Sequence, residues 1–551
     1  MSISADPSSM RRGTGSSPDP DERVTPDNRP ITDQNDQYHL RDRVATATAR
    51  ATDHLLALQS DEGWWKGELQ TNVTMDAEDL MLRRFFGILT EEQASASARW
   101  IRSQQQPDGT WATFHGGPSD LSTTAEAYVA LKIAGDDPAA PHMAAARDFV
   151  RARGGLARTR VFTRMWLALF GEWSWDDLPV MPPEMVLLPE WFPLNIYDFG
   201  CWARQTIVPL TIVGTLRPVR PLGVSVAELR VDSDPASRAG GAAGLVRSST
   251  LAKLSWAGAF TALDRALHAY HRRPLRPLRE LALRRGAEWI VARQEADGGW
   301  GGIQPPWVYS IMALHLLGYP MDHPVIVAGF AGLERFTVHE DSPDGPMRRL
   351  EACQSPVWDT ALAVVALADA GVSGDHPALV KAASWMLAEE VDVPGDWAVR
   401  RPGLPPAGWA FEFDNDLYPD VDDTAEVVLA LRRVGESTTD ARLAARIGAA
   451  VERGVAWTIG MRSASGAWAA FDADNTSVLP TKLPFCDFGE VIDPPSAEVT
   501  AHVVEMLADL GRAGDGVTRG GVTWLLDQQE PGGSWFGRWG VNYIYGTTLV
   551  L

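Results

Sequence analysis

One short pattern recurs along this chain: a glutamine closing a helical stretch, three residues, a glycine, one residue and a tryptophan. Gln105, Gly109 and Trp111 carry it in QQPDGTW, Gln294, Gly298 and Trp300 in QEADGGW, and Gln529, Gly533 and Trp535 in QEPGGSW. Gln59, Gly63 and Trp64–Trp65 form a shifted copy. Arg462, Gly466 and Trp468 have lost the glutamine, and Glu390, Gly395 and Trp397 make a looser copy. Glycine permits the left-handed turn after a helix, glutamine can cap backbone groups beside it, and tryptophan can stack on the next repeat. Between the copies, 121–133, 357–370 and 424–434 return apolar residues at three- and four-residue spacing. Strand-like alternation is scarce. The pattern predicts an all-α fold of helical hairpins repeated around a ring, an α/α barrel or toroid.

At 551 residues the chain exceeds one ordinary core and predicts at least two domains. Lys and Arg total 50 against 71 Asp and Glu, a net charge of −21. Nucleic acid is excluded as a partner, because phosphate binding needs clustered cations. Contact with a lipid surface must come through apolar area. Cys201, Cys353 and Cys486 stand apart and form neither a disulfide framework nor a zinc pattern, which fits a reducing compartment. No window is long and apolar enough to span a bilayer, and no signal peptide is evident. Residues 1–36 are rich in Ser, Pro, Asp and Arg and are expected to be a disordered tail.

Two segments carry chemistry. In YPDVDDTAEVVLAL, Asp420, Asp422 and Asp423 crowd the start of an apolar-periodic helix. Neighbouring carboxylates cannot all ionise easily, so one keeps its proton, and the helix N-terminus favours the carboxylate left after that proton leaves. A helix cap needs one carboxylate; three exceed a cap. In DPPSAEVTAHVVEML, Ser496 is read as an N-cap, with Glu498 and His502 four residues apart on one face. A histidine held by a carboxylate stays protonated and can donate to another acid.

The glutamine–tryptophan repeat, together with TNVTM (71–75), RVFTRMWLAL (160–169), WGGIQPPW (300–307) and PFCDFGEV (484–491), resembles the squalene–hopene and oxidosqualene cyclases from about residue 40 onward. The resemblance implies two α/α barrels around a cavity: 37–68 with 354–551 forming the first, and 69–353 inserted as the second. It places the catalytic acid of a protonation-initiated cyclisation of squalene to hopene or hopanol at Asp422, flanked by Asp420 and Asp423 and strengthened by His502. Glu498 stands where some relatives have Asp. By the same resemblance Trp166, Trp358, Phe411, Tyr418, Phe471, Phe488, Trp539 and Tyr545 line the path of the cation, Phe471 replacing a Tyr of some relatives. Asp359 matches a further acid of the region, and Glu78 and Gln304 match positions holding the water that takes the final proton.

No cofactor and no metal are implied. Asp422-Asp423-Thr-Ala-Glu426 also fits a D-D-x-x-E magnesium motif, but no second metal cluster or basic diphosphate sensor accompanies it. A prenyltransferase β-subunit would need a zinc site that the cysteines and histidines do not supply. Squalene must enter from lipid, which implies peripheral attachment to the cytoplasmic face of the cell membrane; 179–193 and 206–224 are candidates for insertion, and internal packing as the cavity's apolar shell explains them equally well. A homodimer is left open. Because relatives continue beyond GVNYIYGTTLVL, the first barrel is expected to be incomplete. An inactive remnant, or a cyclase of another linear polyprenoid, is the alternative reading.

Overall fold

The computed structural model describes the backbone of residues 34–231, 256–483, 485–486, 490–540 and 542–551. Most of the expected tail and Phe488 lie outside the described residues.

Each repeat is a hydrogen-bonded clasp. The tryptophan indole N–H donates to a carbonyl at the end of the preceding outer helix: Trp65 to Leu55, Trp111 to Ile101, Trp300 to Ile290, Trp468 to Thr458 and Trp535 to Leu525, at 2.6–2.8 Å. The glutamine amide spans two carbonyls. Gln105 donates to Gly109 at 2.8 Å and His142 at 3.1 Å, and Gln294 to Gly298 at 3.0 Å and Val325 at 2.8 Å. It thereby ties the turn to the start of the next outer helix. Gly109 and Gly298 hold φ of +83° and +91°, a region that costs any side chain strain. Arg462 replaces the glutamine and donates to Gly466 at 3.0 Å.

One copy is misplaced by spacing alone. Trp409, not Trp397, occupies the clasp: its indole reaches Met386 at 2.6 Å, and the turn closes from Val391 to Gly408 at 2.9 Å. Residues 391–407 are inserted before it, and Trp397 instead packs edge-on against Trp457 at 5.9 Å.

The helices following the clasps are buried almost all round. Leu121–Ile133, Gln304–Leu316 and Val421–Ser437 each hide ten or more residues, while outer helices such as Glu91–Ser103 bury one face. Outer and inner helices pair into the two α/α barrels. One core runs from Val73 to Phe336; the other gathers Trp65 and residues from Val357 to Leu507. Leu483, Phe485, Val491 and Ile492 of the later chain pack on the first of these. The intervening segment leaves and re-enters at one point, where Gln70 pairs with Glu351 and the Ala352 N–H meets the Leu69 carbonyl at 2.9 Å. Just before this closure lies an antiparallel hairpin, Thr337–Ser342 with Gly345–Leu350, pinned by Arg348 to Asp79 at 2.6 Å.

Candidate active site

The clasp also fixes which side chains face inward. Five tryptophan backbone N–H groups donate to a threonine hydroxyl on an inner helix: Trp65 to Thr360, Trp111 to Thr124, Trp409 to Thr424, Trp468 to Thr500 and Trp535 to Thr547, at 2.9–3.1 Å. Two residues before these threonines stand Trp358, Ser122, Asp422, Glu498 and Tyr545. Two residues after Thr124, Thr424 and Thr500 stand Glu126, Glu426 and His502. Positions four apart share a helix face, so one frame presents the acid, its partners and the aromatic groups to the same interior.

Asp422 and His502 meet there. His502 Nδ1 lies 2.7 Å from Asp422 Oδ1, and its Nε2 lies 3.6 Å from Glu426 Oε1. Trp358 covers the imidazole, ring centroids 5.7 Å apart. Burial disfavours the imidazolium, but the Asp422 carboxyl and then Glu426 outweigh it and lift the His502 pKa to about 9. Asp420 caps its helix, its Oδ1 accepting the Asp422 N–H at 2.7 Å. Burial first, then the Asp422 charge, pushes Asp420 far above the usual carboxylate range. Asp423 is raised likewise by burial and by Asp420 and Asp422, and its Oδ1 has no hydrogen-bond partner among the described residues. Glu426 is lifted to about 7, chiefly by burial. Burial and mutual repulsion thus push Asp420, Asp423 and Glu426 toward the neutral form beside a histidine that favours its charged form.

The remaining expected residues fall into distinct places. Glu498 is buried, and its Oε1 accepts the Arg538 and Trp539 N–H groups at 2.6 and 2.7 Å, so it shapes that turn. Ser496 stands at the N-cap without capping: its hydroxyl has no partner among the described residues. Burial, followed by Asp422 and Glu498, raises the pKa of the Tyr545 phenol. Phe471 meets Trp539 at 5.8 Å and Trp202 at 6.1 Å, edge-on. Phe411 is half-buried, and Tyr418 is buried with its hydroxyl donating to Asp396 at 2.7 Å. Asp359 Oδ2 accepts the Gly67 N–H at 2.7 Å and the Ser355 hydroxyl at 2.9 Å.

Glu78, Gln304 and Trp166 belong to the other core region. Burial, then the nearby Glu126, pushes Glu78 well up. Gln304 donates to Met75 O at 3.5 Å, and its Oε1 has no partner among the described residues; the Trp166 ring lies 5.8 Å from Tyr309.

Sequence reasoning missed Glu126, the place of Glu426, and Arg204. The first two were visible: Asp120 to Glu126 and Asp420 to Glu426 share D-x-x-x-T-A-E. Arg204 sits in an apolar helix with no motif around it.

Residues 48–342 match the family described as squalene-hopene cyclase N-terminal domain, and 354–551 match its C-terminal domain. The squalene–hopene cyclase of Alicyclobacillus acidocaldarius is 48% identical over 505 residues, covering 91% of this chain and 77% of the relative. That of Zymomonas mobilis is 39% identical, covering 93% and 77%. A dammaradiene synthase of Dryopteris crassirhizoma is 34% identical, covering 92% and 73%.

Proposed function

The chain belongs to the squalene–hopene cyclase family and is a triterpene cyclase, and from that premise we propose that it protonates squalene at Asp422 and closes it to hopene or hopanol. The observation that carries this reading is the buried Asp422–His502 contact at 2.7 Å. In this reading His502 Nδ1–H donates to Oδ1, and Oδ2 is the oxygen that presents the acid proton to the alkene. Transfer of that proton to a terminal alkene carbon forms a C–H bond from the π pair and leaves a tertiary cation on the neighbouring carbon. The conjugate carboxylate forms beside an imidazolium, which lowers the cost of losing the proton. Successive alkenes then attack the cation, ring by ring. The chain ends when a proton is lost to a base, giving hopene, or when water adds and then loses its proton, giving hopanol. Aromatic faces steady each cation by about 0.5–2 kcal/mol; Trp358, Phe411, Tyr418, Phe471, Trp539 and Tyr545 are assigned that role. The Glu78 region, with its paired acids and Gln304, suits the terminal water.

Gas chromatography of products after incubation with detergent-dispersed squalene tests the reading; folded protein yielding no polycyclic product refutes it. Squalene is supplied from lipid. Trp191 and Phe192, edge-on at 5.9 Å, stand 81% and 43% exposed. This exposed pair supports peripheral attachment, which vesicle flotation of the protein and of Trp191→Ser measures.

A further inference from the structure

Arg204 lies on Cys201–Leu216, a helix of the Val73–Phe336 core, with a fully buried side chain. Its Nη1 donates to Asp396 Oδ2 at 2.8 Å, and its Nη2 to both Asp472 oxygens at 2.9 and 2.8 Å. The same guanidinium donates to the Phe199 and Ile196 carbonyls at 3.0 and 3.3 Å and lies 4.8 Å from the Tyr197 ring centroid. Asp396 and Asp472 come from loops of the later chain. Asp396 accepts the Tyr418 hydroxyl and an Arg293 ion pair. Asp472 directly follows Phe471, and the N–H groups of both reach Asp493 Oδ2 at 2.7 and 2.9 Å. Two residues before Arg204, Trp202 meets Phe471 and Trp539 edge-on at 6.1 and 5.2 Å. One side chain thus bridges Asp396, which the Tyr418 hydroxyl touches, and Asp472, which follows Phe471.

Stability alone is a poor reason for this arrangement. Desolvating an ion cluster costs several kcal/mol per ion, and well-packed apolar substitutes are often as stable. Geometry is the better reason. A polyene cation closes its next ring only while alkene and aromatic face are correctly placed; a displaced face leaves time for proton loss. We propose that Arg204 is a positioning residue that holds the Tyr418 and Phe471 loops in register and so decides how many rings close before the cation is quenched. The proposal rests on the reading of those aromatics as the wall of the cation path.

The test is the product distribution of Arg204→Lys, which keeps the charge and loses the planar fork, measured beside Asp472→Asn, which keeps a hydrogen-bonding shape and loses one anion. Squalene is the probe, products are resolved by gas chromatography–mass spectrometry, and folding is checked by thermal melting. The share of mono- to tetracyclic products is expected to rise about tenfold in Arg204→Lys, equivalent to ~1.4 kcal/mol between competing steps, and less in Asp472→Asn. Wild-type product ratios in both variants, whatever their turnover or melting point, overturn the proposal. Should Arg204→Lys fail to fold, Asp472→Asn decides alone, in the same sense. A wild-type protein making no polycyclic product instead refutes the reading beneath it.

Discussion

The helices Leu121–Ile133 and Val421–Ser437 are the same structural sentence with two words changed. Each opens on a capping Asp, Asp120 or Asp420. Each places a threonine four residues on, Thr124 or Thr424, whose hydroxyl accepts the N–H of Trp111 or Trp409 at 3.1 or 3.0 Å. Each follows with Ala and Glu. They differ where Ser122-Thr123 in one stands against Asp422-Asp423 in the other. Ser122 accepts the Arg160 N–H at 2.8 Å, and Glu126 is held by Thr74 at 2.8 Å, by Thr163 and by Arg160 at 3.5 Å. In the second helix the neighbour is His502 instead. The repeat supplies an address; what sets the second helix apart is two carboxyls at that address and one imidazole across from it.

The largest blow to the comparison is Asp422→Asn, which makes the second helix as inert as the first. Turnover is expected to fall by about a thousandfold or more, the upper range for a general acid, in protein that still folds by circular dichroism even though losing the His502 partner lowers its melting point. Surviving turnover would remove Asp422 from its role. His502→Gln comes next: the donor beside the carboxylate is gone, and about a hundredfold loss is expected in single-turnover product formation. A paired test then separates address from chemistry. Thr124→Val and Thr424→Val each strand a buried tryptophan N–H and should each cost about 1–3 kcal/mol in denaturant unfolding. Only Thr424→Val should also slow each folded molecule; equal loss of activity in both would show that the frame, not the acid, was being read.

The smallest effect concerns pH. His502 titrates at about 9 in the fold, above its ordinary value. Its pairing therefore stabilises fully below pH ~6.5, the unfolded value, and that contribution is lost as pH rises through about 9. The alkaline limb of activity should follow the same titration. Glu426→Gln removes one of the charges that favour the imidazolium, so the limb should move to lower pH. A limb that stays put would show that Glu426 does not act on His502.

Much of this was legible in the letters because it is local. The ring of helical hairpins follows from the repeat, the three carboxylates at 420–423 stand out by their crowding, and the family resemblance picks out Asp422 and His502. What escaped is what distance in sequence conceals. The tryptophan-to-threonine interval runs to 13, 15, 32, 12 and even 295 residues, so no fixed window finds it. The insertion at 391–407 displaced Trp409 from the expected spacing and let Trp397 satisfy the pattern by coincidence. Arg204 carries no signature at all; its meaning lies in two carboxylates 192 and 268 positions away.

The bond between Trp65 and Thr360 also has a consequence in time. A chain growing at about 5–20 residues per second needs roughly 15–60 s to bring out the threonine after the tryptophan has appeared. Through that wait the Val73–Phe336 core can form, while the amino-terminal helix has no permanent neighbour. Asp422 emerges later still, and His502 after it. The Asp422–His502 pair is therefore assembled late, on scaffolding whose other half is already standing.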